Sequence, residues 1–242
     1  MNLIIDVGNS FVKVAVYSRY RLLKKVTVEY DELILTIDKL NKQYPSINHG
    51  ILSAVGQFAK KDLKALQSRL KIHVLSHTSK LPFKNEYDTP KTLGVDRLAL
   101  VSASVLKYND KNVLIIDAGT CITYDFITQE NIYLGGAISP GINMRYKTLN
   151  NLTANLPLLK RKAPQNIIGK STNGAMHSGV VNGVVYEIEG VIKEYKSRFQ
   201  DLTVILTGGD GKFLSKRLKN GIFANSNFLL DGLNYILELN LD

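Results

Sequence analysis

The sequence predicts an α/β protein of two duplicated halves facing each other across a cleft. Two observations carry this. The stretch Leu3-Ile4-Ile5-Asp6-Val7-Gly8 recurs 111 residues on as Leu114-Ile115-Ile116-Asp117-Ala118-Gly119, with only the fifth position changed. Around each copy the apolar pattern reads strand, turn, strand, followed by alternating helix and strand. A chain of 242 residues holds either one large domain or two of about 120. The repeat favours two, residues 1–110 and 111–242.

In the first half, the apolar run before Asp6 is that of a strand buried on both faces, which leaves Asp6 at its end. Gly8 lets the backbone turn tightly and bring N–H groups close to phosphate oxygens. Asn9 and Ser10 add short polar groups, and Lys13 adds a point charge suited to phosphate. The second strand leaves through Tyr17, and Arg21 to Tyr30 answers it with alternating Val26, Val28 and Tyr30. Asp31 to Tyr44 has Leu33, Ile37 and Leu40 at helical spacing behind an Asp cap, ended by Pro45. His49 to Val55 reads as a strand, Lys60 to Leu70 as an amphipathic helix and Ile72 to Ser76 as a strand. The Pro- and Asp-rich segment from Leu81 to Leu93, with Tyr87 inside it, reads as a loop. Gly94-Val95-Asp96-Arg97 then opens a helix through Lys107, placing Asp96 and Arg97 where orphan N–H groups favour an anion. Asp96 suits a simple cap as well as a chemical role. Arg97 suits bidentate binding of a carboxylate or phosphate, or pairing with Asp96.

The second half repeats strand, turn and strand from Asn112 to Ile127, with Asp117 at the strand end and Thr120 in the turn. A carboxylate repels phosphate, so Asp6 and Asp117 imply an intervening cation, most simply Mg²⁺. Either copy alone reads sooner as an ordinary hairpin with an Asp-Gly-type turn; the matched pair reverses this and favours a ligand site. Ile132 to Ser139 reads as a strand, and Pro140-Gly141 leads into a helix reaching about Asn151. Asn155 to Asn166 reads as a loop. Gly169-Lys170-Ser171 imitates the end of a phosphate-binding P-loop, but Pro164 stands where its first glycine is required. Ser171-Thr172-Asn173-Gly174 instead caps a long helix from about Ala175 to Phe199. Thr203 to Thr207 is a buried strand ending in Gly208-Gly209-Asp210-Gly211, either a platform for a base or sugar or a plain tight turn. A basic helix follows, and Leu229 to Leu239 closes the chain as a helix.

Composition excludes several classes. Hydrophobic residues are 45% and charged residues 21%, as in ordinary globular proteins. No apolar run approaches the ~20 residues of a membrane span, and no basic-then-apolar leader opens the sequence. A cytoplasmic location and no membrane partner are expected. Cys121 is the single cysteine, which excludes an internal disulfide, and it reads as a small core residue. The net charge of +10 is scattered in small groups without interleaved aromatics, so anionic small substrates are expected rather than nucleic acid.

With two Asp-x-Gly hairpins and a later Gly-Gly turn, the chain resembles the actin-like ATPase superfamily, with its ribonuclease H-like domains. The finer resemblance rests on Asp6-Val7-Gly8-Asn9-Ser10-Phe11-Val12-Lys13, Gly94-Val95-Asp96-Arg97, Asp117-Ala118-Gly119-Thr120, Gly135 to Gly141, and Ser171-Thr172 through Ser178-Gly179. Together these are similar to the motif set of type III pantothenate kinases, in the same order over residues 3 to 211. The resemblance implies ATP-dependent phosphorylation of pantothenate to 4′-phosphopantothenate, the first step toward coenzyme A. It implies that Asp6, Val7, Gly8, Asn9, Ser10, Phe11, Val12, Lys13 and Thr120 hold ATP. Pantothenate would be held by Tyr87, Gly94, Val95, Asp96, Arg97 and Thr172, with Asp96 the catalytic acceptor of the hydroxyl proton. Asp117 would bind K⁺ or NH₄⁺, and a partner subunit would complete the pocket in a homodimer, with the helix from Ala175 a candidate interface.

Two departures stand beside this. Cys121 replaces a frequent alanine of the family, and the segment around Tyr87 is only loosely patterned. Competing readings are a kinase for a sugar or short-chain acid, and a regulatory protein that uses the fold to sense nucleotide.

Overall fold

The computed structural model describes every residue except 9, 10, 55, 57, 220 and 242. Its contacts divide the chain into two compact units, residues 1–109 with 131–133 and 227–242, and residues 110–130 with 134–226.

In the first unit β1 (Asn2–Val7), β2 (Val12–Ser18) and β3 (Arg21–Val28) form the expected meander. A 3₁₀ turn at Tyr30–Glu32 leads into α1 (Leu33–Gln43), followed by β4 (His49–Ala54), α2 (Lys60–Gln67) and β5 (Lys71–Val74). The strands lie in the order β3-β2-β1-β4-β5, antiparallel through β3, β2 and β1 and parallel from β1 to β5. Val55, the expected last residue of the fourth strand, lies outside the described residues. Asp31 is not the expected cap. Glu29 and Glu32 form a reciprocal capping box around the 3₁₀ turn, so the chain enters α1 already wound. The expected loop from Leu81 to Leu93 holds β6 (Lys84–Asn85) and a 3₁₀ turn at Pro90–Thr92. The helix α3 (Val95–Lys107) follows.

The inward residues of β1 and β2, Leu3, Ile5, Val14 and Val16, pack with Leu33, Ile37 and Leu40 of α1 and Leu66 of α2. Burial of each such side chain is worth roughly 1.5–3 kcal/mol. The closing helix packs against α3, with Gly232 directly over the Ala99 carbonyl.

In the second unit β7 (Val113–Ala118) and β8 (Cys121–Ile127) form the repeated hairpin, and β9 (Ile132–Pro140) follows. The first two residues of β9 pair with β6. Next come α4 (Ile142–Asn151) and α5 (Thr172–His177), a π turn at Ser178–Asn182, and α6 (Gly183–Arg198). The chain ends with β10 (Thr203–Thr207), α7 (Gly211–Ser215), β11 (Phe223–Ala224) and α8 (Phe228–Leu239), the last in the first unit. The order β9-β8-β7-β10-β11 repeats that of the first sheet, strand for strand. The α/β duplication read from one phrase is therefore a duplication of the whole sheet.

The long helix starts at the expected cap: Ser171 Oγ accepts the Gly174 N–H at 3.1 Å. It is not continuous α-helix. At the π turn Ser178 Oγ–H donates to the Ile167 carbonyl, and Asn182 Nδ2 donates to Ser178 Oγ at 3.2 Å. These side-chain bonds compete with regular winding at one point. Among the described residues no helix is long and apolar enough to cross a membrane.

Candidate active site

The turn after β1 is organised by an ion pair. Asp6 and Lys13 are register partners on β1 and β2, and Lys13 Nζ lies 3.1 Å from Asp6 Oδ2. Asp6 is buried while Lys13 is half-exposed. Burial pushes the Asp6 carboxyl above its ordinary range, Lys13 opposes this, and the charge of Asp96 adds to it. Asp6 and Asp96 thus share one electrostatic environment in the first unit. Val7 and Val12 turn their side chains into the core, so only their backbones are available to a ligand. The Gly8 N–H donates to the Phe11 carbonyl at 3.1 Å, and the Phe11 ring is exposed. Asn9 and Ser10, expected at the phosphates, lie outside the described residues.

The second carboxylate stands in the first turn of α3. Asp96 Oδ1 accepts the Arg97 N–H at 2.9 Å, and it occupies the space a Cβ on Gly94 would need, only 2.3 Å from that atom's position. Val95 is half-buried beside it. Arg97 is buried, and its guanidinium carbon lies 5.5 Å from the centre of the Tyr87 ring. Tyr87 stacks on Tyr133 at 6.1 Å and 21°, and its N–H donates to Asn85 Oδ1 at 3.0 Å. The structure therefore brings Tyr87, Gly94, Asp96 and Arg97 together, including the tyrosine from the loosely patterned segment.

In the second unit Asp117 is the counterpart of Asp6, with a shorter hairpin beyond it. Val7 pairs with Val12 across four intervening residues, whereas Ala118 pairs with Ile122 across three. Asp117 consequently faces Thr123 on β8, not a lysine, and Thr207 on β10 lies on its other side. Thr120, in the turn, is exposed. Gly208 has φ +88°, and a Cβ there would lie 2.3 Å from Asp117 Oδ1, so glycine lets the β10 turn close on this carboxylate. The Asp210 N–H donates to the Ala118 carbonyl at 2.9 Å, and Arg161 forms an ion pair with the Asp210 carboxylate. Burial pushes that carboxyl up, and Arg161 opposes it.

A family model described as type III pantothenate kinase matches residues 2–194. The chain belongs to the type III pantothenate kinase family. It is similar to the type III pantothenate kinase of Christiangramia forsetii, 52% identical over 99% of both chains. It is also similar to that of Flavobacterium johnsoniae, 48% identical over 100% of this chain and 99% of the relative. Among solved structures it resembles a Campylobacter jejuni protein described as a Baf family transcriptional activator. The TM-score is 0.66, with 24% identity over 98% of both chains. A ROK family glucokinase of Streptomyces griseus gives a TM-score of 0.52, with 12% identity over 98% of both chains. The two structural likenesses bear on the fold, which is that of actin-like kinases.

In this member of the type III pantothenate kinase family, Thr172 is the exposed first residue of α5 and borders a cavity of about 750 Å³ within the second unit. Leu149, Leu156, Met176 and Val180 line the cavity, and Arg145 stands at its edge. Arg145 is held by Glu187, by the Pro140 carbonyl at 2.9 Å and by Ser139 Oγ at 3.0 Å. Although burial works against it, hydrogen bonds from Arg145, Tyr124 and Ser139 keep Glu187 below the usual carboxylate range. The motifs did not reveal Ser53, Thr123, Thr207 or Arg161. The first three are sheet neighbours of the two Asp residues, a signal readable only once strand order is known. Arg161 lies in an unpatterned loop.

Proposed function

We propose that the chain transfers the γ-phosphoryl group of ATP to the primary hydroxyl of pantothenate, forming 4′-phosphopantothenate and ADP, the first step toward coenzyme A. Membership of the family supports this, and the observation that carries it is the placement of Asp96 at the start of α3 with Arg97 and Tyr87 beside it. The roles follow from the chemistry of each group. The substrate hydroxyl oxygen attacks the γ-phosphorus while the bond to the bridging oxygen breaks, and ADP leaves with that electron pair. Asp96 takes the hydroxyl proton: Oδ1 accepts the Arg97 N–H, which leaves Oδ2 as the oxygen that would take the proton. Arg97, with Tyr87, holds the pantothenate carboxylate end, and Thr172 and Val95 complete the substrate contacts.

ATP phosphates are held by the backbone from Asp6 to Val12, by Lys13 and by Thr120. Phosphoryl transfer depends mainly on positioning and charge neutralisation, which these groups supply. Asp6, a buried carboxylate at a strand end, fits an ion whose remaining ligands are phosphate and water, as Mg²⁺ prefers. When bound, Mg²⁺ supplies charge neutralisation. Asp117 with Thr123 and Thr207 offers only oxygen atoms, which fits K⁺ or NH₄⁺.

The halves 1–110 and 111–242 are the units of duplication in this reading. The protein works as a homodimer: Leu158, Ile167 and Ile168 are exposed apolar residues of the segment before α5, at 60%, 66% and 74%. Isolated exposed apolar residues are ordinary, but three in one segment suit burial against a second copy. A single cysteine suits the reducing cytoplasm.

The decisive experiment is ADP release from ATP and Mg²⁺, with and without pantothenate. Pantothenate-dependent release is the expected result. Release driven instead by a sugar or short-chain acid, or ATP binding without release, would overturn this reading.

A further inference from the structure

The two sheets carry matching rows of side chains at the same level, and they differ at one position. Across β4, β1 and β2 the row is Ser53, Asp6, Lys13. Across β10, β7 and β8 it is Thr207, Asp117, Thr123. Register partners point to the same face of a sheet, so each row sets a carboxylate between a hydroxyl and one variable group. In the first row that group is an ammonium, 3.1 Å from the carboxylate. In the second it is a hydroxyl: the hairpin is one residue shorter, and Thr123 stands opposite the Asp.

Further observations mark the second row as a place built for a cation. Thr123 Oγ1 is buried without a protein hydrogen-bond partner among the described residues. Asp125, fully buried, lies two residues further along β8 and therefore on the same face as Thr123. The face thus carries two carboxylates, with Thr123 standing opposite one and next but one to the other.

We propose that Thr123 is the residue that makes the second row depend on an added monovalent cation, and that the Lys13 ammonium is the built-in equivalent of that cation in the first row. This rests on the reading of Asp117 as a K⁺ or NH₄⁺ site. A lysine at position 123 carries its own charge to Asp117, as Lys13 does to Asp6.

The test is Thr123→Lys, with Thr123→Met as a control of similar length and no charge. Two readouts are taken in K⁺ and in Na⁺ at equal ionic strength, thermal unfolding with ATP present and pantothenate-dependent ADP release. Wild type is expected to unfold at higher temperature and to turn over faster in K⁺. Thr123→Lys is expected to give the same unfolding temperature and rate in both salts. Its rate in Na⁺ should exceed wild type in Na⁺ by about tenfold, the scale of a 1.4 kcal/mol interaction. Thr123→Met should be slow in both.

Thr123→Lys that keeps the wild-type preference for K⁺ overturns the proposal alone. Thr123→Met that matches Thr123→Lys in Na⁺ also overturns it, because charge would then not be the cause. Wild type indifferent to K⁺ in both readouts overturns the cation reading and the proposal together. Should Thr123→Lys not fold, Lys13→Thr supplies the reciprocal test by calorimetry of ATP binding. A preference for K⁺ over Na⁺ larger than that of wild type supports the equivalence, and a preference no larger than that of wild type overturns it.

Discussion

Lys13 and Asp6 are cross-strand partners whose charges meet at 3.1 Å at the end of β1, with the carboxylate buried and the ammonium half-exposed. The pair is asymmetric: removing the lysine leaves a buried charge, whereas removing the aspartate leaves a cation that water can reach. Because burial raises the Asp6 carboxyl above its unfolded value of 3.8, folding favours the protonated form. Stability from this group is therefore full below 3.8 and is lost as pH rises through the raised folded value. Asp6→Asn removes that cost. At pH 7 it should raise the unfolding temperature, while ADP release is lost. Scanning calorimetry from pH 4 to 7 checks this, and a lower unfolding temperature for Asp6→Asn at pH 7 would contradict it.

Asp96→Asn keeps an oxygen for the Arg97 N–H but no longer takes a proton. The expected result is a kcat lower by roughly 10²–10⁴, the usual range for loss of a general base, with ATP and pantothenate binding retained. Turnover near the wild-type rate would remove Asp96 from the proposed role.

Asp117→Asn takes the charge from the row that Thr123 and Thr207 complete. The rate in K⁺ should drop to the rate in Na⁺, since the neutral amide no longer attracts either cation. A rate ratio unchanged from wild type would place the cation elsewhere.

Gly232→Ala tests the seam between α8 and α3. A Cβ there would lie 1.8 Å from the Ala99 carbonyl oxygen, and backbone cannot yield as a side-chain tip can. Overpacking of this kind costs roughly 1–3 kcal/mol, and urea unfolding should report it as a lower midpoint. The substitution touches none of the proposed reacting groups, so kcat below the transition should stay at the wild-type value.

Ile168→Asp places a charge in the exposed apolar segment before α5, where Ile168 is 74% exposed in the single chain. Sedimentation should show a dimer for wild type and a monomer for the variant. A monomeric wild type would refute the dimer directly.

Much of the candidate site was legible because its signals are local. Asp-x-Gly after an apolar run needs only a strand end and a turn, and Gly94 to Arg97 needs only a helix start. Tyr87 had no local signal; its place beside Arg97 comes from stacking on Tyr133, a contact across 46 residues of chain. The cap at Ser171 was legible for the same local reason, whereas the π turn seven residues later depends on a bond from Ser178 to Ile167 in a loop.

The sequence by itself determined the two hairpins, the helices and the kinase motifs, because periodicity, turn chemistry and capping act over a few residues. Only the tertiary structure decided that α8, last in the chain, returns to the first unit, and that Asp6 meets Lys13 while Asp117 meets Thr123. Both outcomes turn on packing and strand register between residues far apart in sequence. Gly232 seats on Ala99 because no side chain intervenes, and one residue fewer in the second hairpin changes which side chain faces the carboxylate.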